Sequence, residues 1–144
     1  MDNLLEIKNL FVEYVSDKNA FGGKQIIHAV NGVSLDVKKG GILAIAGESG
    51  CGKSTLARAI LRLENSKSGE IDFEGKNILK FNSAELKKYR QNAQMIFQNP
   101  YASLNPKMKV SEILKEPLQI NTKFSNKEID KIIDEKLEQV GLSN

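Results

Sequence analysis

ILAIAGESGCGKSTLARAILRL, residues Ile42 to Leu63, is the stretch that decides how this chain is built. It opens on Ile42 to Ala46, a short apolar run that reads as a strand buried on both faces, the mark of a parallel sheet. Glycines follow at Gly47, Gly50 and Gly52. From Ser54 to Leu63 the residues Leu56, Ala59, Ile60 and Leu63 then fall at helical spacing on one face. Strand, glycine loop and helix, in that order, are the context in which the spacing GxxxxGK[ST], met here from Gly47 to Ser54, carries a chemical meaning.

That meaning is anion binding. Gly47 lets the chain leave the strand tightly, and Gly50 and Gly52 let the backbone curl round a charge with no side chains in the way. Backbone N–H groups and the helix N-terminus hold the phosphates and Lys53 reaches the β- and γ-phosphates. The Ser54 hydroxyl ligates magnesium, and Thr55 adds a further phosphate contact. The candidate binding residues are therefore Gly47, Glu48, Ser49, Gly50, Cys51, Gly52, Lys53, Ser54 and Thr55, with ATP and Mg2+ as the expected ligands. Cys51 reads as a small residue filling a tolerant motif position rather than as a redox sensor.

Working outward, Leu4 to Val15 and Ile26 to Val37 are rich in β-formers and read as two strands joined by a long loop, Ser16 to Gln25. Gly69 to Phe73 and Ala93 to Phe97 read as further strands. Asn82 to Arg90 reads as a helix with Asn82 as N-cap and Glu85 three residues on. From Val110 the chain turns helical, first in a short piece interrupted by Pro117, then from Lys127 to Val140. This second helix has a Ser125/Glu128 capping box, an apolar stripe of Ile129, Ile132, Ile133, Leu137 and Val140, and Gly141 as its stop. Strands alternate with helices, as in α/β proteins.

The 144 residues, 40% hydrophobic and 27% charged, suit one globular domain. With 21 Lys and Arg against 18 Asp and Glu, and no basic block, charge does not point to nucleic acid. A single cysteine excludes an intrachain disulfide and fits a reducing cytosol. No apolar run approaches the roughly 18 residues of a spanning helix, and the N-terminus does not read as a secretory signal. His28, the only histidine, has no Cys, Asp or His at ligand spacing and reads as a strand surface residue.

GESGCGKST and, after a strand and a helix, QMIFQNPYASLNPKMKV from Gln94 to Val110 together resemble the ATP-binding subunits of ABC transporters. Within that family, AVNGVSL at Ala29 to Leu35, FQNPYASLNP at Phe97 to Pro106 and EPL at Glu116 to Leu118 are similar to the oligopeptide and dipeptide importers. The resemblance covers essentially the whole chain. It implies an α/β fold with a P-loop NTPase (ABC ATPase) core, an N-terminal antiparallel β subdomain and the beginning of an α-helical subdomain. In residues, 1–41 and 68–80 form the β subdomain, 42–67 and 93–98 the P-loop core, and 99–144 the start of the helical part.

The resemblance also implies roles. Gln98 matches the Q-loop glutamine, a contact to magnesium or the attacking water and a hinge that senses the membrane subunit; by spacing alone it is a polar residue ending a strand before the Asn99–Pro100 turn. Lys53 and Gln98 are thus the candidate catalytic residues, and Ser54 and Gln98 the candidate metal contacts. Tyr14 matches the aromatic residue that stacks on adenine, with Phe11 and Phe21 as competitors. Val30 is either an adenosine-lining residue or a core valine. The implied partners are a second ATP-binding subunit and transmembrane permease subunits, with no nucleic acid, and the implied location is cytoplasmic, peripheral on the inner face of the cell membrane.

Against the family pattern, no LSGGQ signature, acidic magnesium motif or switch histidine is present, so the chain is expected to be truncated. It is expected to bind ATP but hydrolyse it negligibly alone, because hydrolysis needs donors and a positioned water that these residues do not supply. Its uncovered apolar surfaces predict self-association. A small P-loop kinase, a non-transport ABC module and a nickel or other small-solute importer are the competing readings. The first lacks an acceptor region with a catalytic carboxylate and an arginine-rich lid.

Overall fold

The computed structural model of the chain describes residues 3–16 and 24–142, apart from the side chains of Pro100 and Ala102. It divides into two compact units, Met1–Met95 and Ile96–Asn144.

In the first unit, strands β1 (Asn3–Ser16) and β2 (Gln25–Lys38) form an antiparallel hairpin. Strand β3 (Ser68–Phe73) joins the other side of β1, and the short β4 (Lys76–Asn77) completes a sheet of order β2-β1-β3-β4. The inward residues of β1 are Ile7, Leu10 and Val12, all fully buried. A strand alternates strictly, so Ile7 and Leu10 can share a face only if one extra residue lies between them. The chain provides it with a bulge at Lys8 and Asn9, where the pairing steps from Ile7↔Leu35 to Leu10↔Val33. Asn9 takes φ 45° there and donates its N–H to Ser34 Oγ at 2.9 Å. Gly69, at φ 102°, packs under this bulge, where a β-carbon would meet Leu10 Cα at 2.6 Å.

Helix α1 (Lys53–Ile60) and helix α2 (Ser83–Asn92) close the core. Leu56 and Ala59 of α1 and Tyr89 of α2 join Ile7, Leu10, Val12, Val30, Ile71 and Ile78 in one buried cluster. Tyr89 meets Phe73 and Phe81 edge to face, with ring centroids 5.0 and 6.2 Å apart. Asn82 and Glu85 make the capping box read from the sequence, Asn82 Oδ1 accepting from Ala84 N and Glu85 N while Glu85 Oε2 accepts from Asn82 N.

Helix α1 ends before the expected Leu63. Arg62 takes φ 52° in the position glycine usually fills, and Leu63 N donates to Arg58 O at 2.9 Å, which closes the helix in a Schellman-type turn. The carbonyls released at that end are held by side chains. Tyr89 Oη donates to Ile60 O at 2.6 Å, while Arg90 Nε and Nη2 donate to Leu61 O and Arg62 O at 3.2 and 2.7 Å.

Two expected strands do not form. Residues 42–46 and 93–97 pair with nothing among the described residues, and Ile42 and Ile96 stand 99% and 94% exposed. An apolar parallel strand is stable only with neighbours on both edges and layers on both faces. Its sequence records that requirement without supplying the partners.

In the second unit, α3 (Val110–Asn121) packs on α4 (Asn126–Gln139), and Lys115 Nζ bridges to Asp130 Oδ1 at 2.6 Å. Pro117 does not interrupt α3. It falls near the helix end, where Asn121 Nδ2 donates to Pro117 O and Thr122 Oγ1 to Leu118 O, so the final turn is held by side chains. Ser125 and Glu128 form the expected capping box, and Gly141 at φ 74° terminates the helix. Of the apolar stripe, Ile129 and Ile133 are buried, whereas Val140 is exposed.

Candidate functional site

The glycine loop runs from the end of the unpaired 42–46 segment into α1. Gly50 and Gly52 hold φ 83° and 94°, the left-handed region that makes the loop curl inward. Gly52 is the N-cap of α1, no side chain caps the helix, and its first turn contains no acidic residue. First-turn N–H groups have no acceptor within their own helix, so this end is built to receive an anion.

Lys53 supplies the charge. Its Nζ donates to Gly47 O at 2.7 Å and Glu48 O at 2.6 Å and lies 3.4 Å from Cys51 Sγ. The ammonium is thus folded over the loop, within reach of whatever the loop encloses. Ser54 is exposed in the first turn of α1 and Thr55 is half-buried. These donors fit a magnesium-bound triphosphate: amides and an ammonium for the phosphate oxygens, a free hydroxyl for the metal.

Beside the loop lies a cleft of about 400 Å³ whose walls include Val30, Ala46, Cys51, Gly52, Lys53 and Leu56. Val30 is at once a core residue, 4% exposed, and part of this wall. Tyr14 sits on β1 opposite Ile27, about one-third exposed, outside the lining of the cleft. Its competitor Phe11 is half-buried, with its ring edge over Gly32. Phe21 lies outside the described residues. Gln98 is exposed and belongs to the second unit.

Two features escaped the sequence. The first is the carbonyl of Ala29, which lies so close to Gly52 that a β-carbon there would overlap it. No residue type encodes a backbone carbonyl, although the requirement for glycine at 52 is a trace of it. The second is a charge cluster on the hairpin. Glu13 on β1 accepts from Lys67 Nζ at 2.7 and 2.8 Å on its two oxygens and pairs with His28 Nδ1 at 3.0 Å. Hydrogen bonding from Lys67 holds the Glu13 carboxyl below its ordinary value against an opposing effect of burial, and the charges of Lys67 and His28 add to it. Glu13 and Lys67 are 54 residues apart in the chain, too far for any local pattern to pair them.

Residues 30–144 match the family model of the ABC transporter, and the chain belongs to this family. It is 41% identical over 142 residues to the di/tripeptide transport ATP-binding protein DppF of Pseudomonas aeruginosa, covering 99% of this chain and 44% of that protein. It is 44% identical to the dipeptide transport ATP-binding protein DppF of Haemophilus influenzae (96% and 42%), and 40% identical to the oligopeptide transport ATP-binding protein OppF of Streptococcus mutans (97% and 44%). The chain spans less than half the length of these curated relatives. Among solved structures, it superimposes on the ATP-binding cassette MJ0796 in a dimeric post-hydrolysis state bound to ADP and Pi. The TM-score there is 0.71 at 29% identity, over 88% of this chain and 53% of that one. The architecture is that of the N-terminal portion of an ABC ATPase cassette.

Proposed function

We propose that this chain binds ATP with Mg2+ through Gly47–Thr55 and is the P-loop-bearing part of the ATP-binding component of an oligopeptide or dipeptide importer. The observation that carries the reading is the loop itself, with left-handed Gly50 and Gly52, an uncapped helix start and Lys53 folded over its carbonyls. The names of the relatives supply the peptide importer.

In this reading Lys53 neutralises the β- and γ-phosphates, Ser54 holds Mg2+, and Gln98 touches the metal or the attacking water. Thr55 and the loop amides orient the phosphates, Val30 borders the adenosine, and Tyr14 stacks on adenine. Residues 1–41 and 68–80 serve as the β subdomain, 42–67 and 93–98 as the P-loop core, and 99–144 as the start of the helical subdomain. The ATP-binding component pairs with a second such subunit and with permease subunits, on the cytoplasmic face of the membrane, where ATP hydrolysis drives uptake. The residues described here bind nucleotide and leave hydrolysis to groups they do not contain.

Titration with Mg2+-ATP, followed by calorimetry, tests this: saturable binding that disappears in Lys53→Ala is expected, together with negligible turnover. Binding that survives Lys53→Ala, or steady hydrolysis abolished by it, overturns the corresponding half of the proposal.

A further inference from the structure

The pairing of β1 with β2 steps from Val12↔Val30 to Glu13↔His28, so Ala29 is an extra residue on β2, a β-bulge. Its carbonyl oxygen is the atom that abuts Gly52, the N-cap of α1. A bulge next to a binding loop re-aims the chain at the place where geometry matters, and something must hold it there. Inside the bulge the hairpin is fixed by burial, with Val12 1% and Val30 4% exposed. Outside it the pairs Tyr14↔Ile27 and Val15↔Ile26 are all exposed, and a strand with no buried face specifies its register weakly. The competing register is plain: Glu13 opposite Ala29, no bulge, and the Ala29 carbonyl drawn back into the ladder away from Gly52.

The Glu13–His28 pair stands at that junction, and Lys67 locks it from the segment entering β3, where its own N–H also donates to Phe11 O at 2.8 Å. We propose that Glu13, His28 and Lys67 are positioning residues that set the β-bulge at Ala29 and thereby the wall formed by Ala29 and Val30 beside the phosphate loop. This rests on the triphosphate reading of Gly47–Thr55 and adds to it a second part, responsible for the nucleoside rather than the phosphates. Releasing the bulge withdraws the Ala29 carbonyl from Gly52 beside a fixed Val30 and re-pairs Tyr14 with His28, while Lys53 and the loop amides remain in place.

The test compares Mg2+-ATP with Mg2+-tripolyphosphate, which has the phosphates but no nucleoside, in equilibrium titrations of the chain. Wild type is expected to prefer ATP. Glu13→Ala is expected to reduce that preference about tenfold while tripolyphosphate affinity stays within about twofold, since a loosened wall loses preorganisation and not charge. Glu13→Gln, which keeps the shape and one of the two acceptor oxygens but not the charge, is expected to lose about threefold, and it serves as the readout should Glu13→Ala not melt cooperatively. A mere loss of stability lowers both affinities together. An unchanged ATP-to-tripolyphosphate ratio in the folded variant overturns the positioning role. If wild type binds neither ligand, the triphosphate reading falls and this one with it, an outcome distinct from the first.

Discussion

Lys53 reaches back across its own loop to the carbonyl of Gly47, with 2.7 Å between Nζ and oxygen. The ammonium is held by carbonyls of its own loop, so under the proposed triphosphate reading its removal affects ligand and fold unequally. Charge-assisted hydrogen bonds contribute about 1.5 to 3 kcal/mol each. Lys53→Ala is therefore expected to weaken Mg2+-ATP binding by about 100-fold or more, with a melting temperature within a few degrees of wild type; calorimetry and a thermal melt check the two halves.

Gly50 and Gly52 share a left-handed backbone but differ in surroundings. Nothing lies within 4 Å of a β-carbon at Gly50, whereas at Gly52 it overlaps the Ala29 carbonyl. Gly50→Ala should cost about 1 kcal/mol, the backbone penalty alone. Gly52→Ala should cost about 3 kcal/mol or more, because strand β2 must also move. Chemical denaturation of the pair separates them, and equal losses would contradict the close approach.

Tyr89 carries an alkaline limit. Burial pushes its phenol up from about 10 to about 12, so the folded state holds this proton where the unfolded chain releases it. Stability from this group is complete below pH 10 and is lost as pH rises through 12. Deprotonation also removes the donor to Ile60 O. Tyr89→Phe should be about 1 kcal/mol less stable at pH 8 and should show a smaller drop between pH 10 and 12; denaturation curves at the two ends measure it.

The acid limb belongs to Glu13 and Glu128. Hydrogen bonds from Ser125 hold the Glu128 carboxyl below its ordinary 4.5, as Lys67 holds Glu13. Lowered carboxylates stabilise the fold above the unfolded value and cease to do so as pH falls through the folded one. Helical circular dichroism should therefore decline below pH 4.5, and Glu128→Gln should flatten part of that decline. Ser125→Ala should destabilise α4 by about 1 kcal/mol at neutral pH.

Ile42, Leu43 and Ile45 are exposed on an unpaired segment, an invitation to strand pairing between copies. Sedimentation should show concentration-dependent association, and Ile42→Lys with Ile45→Thr should reduce it.

The same segment shows how legibility divides. The starts of α2 and α4 and the end of α4 are legible because their signals are local: Asn82 with Glu85, Ser125 with Glu128 and Gly141 each act within a few residues. The curl of the glycine loop is legible because its glycines act within one turn. Residues 42–46 and 93–97 misled because apolar composition states where a strand belongs, not whether neighbours are present. Pro117 signals a break by composition, yet α3 runs through it. The Arg62 turn, the bulges and the Glu13 cluster were illegible since each depends on residues brought together only by the fold.

At the far end of α1, Tyr89 and Arg90 cover the carbonyls of Ile60, Leu61 and Arg62. Electrically, α1 is a rod polarised along its axis, with a partial negative charge at that terminus. A guanidinium set against this terminus offsets that partial charge, at the end of a helix of only 8 residues. The positive pole at the glycine loop then stands with its negative counterpart screened, so α2 contributes to the field at the loop from the opposite end of α1.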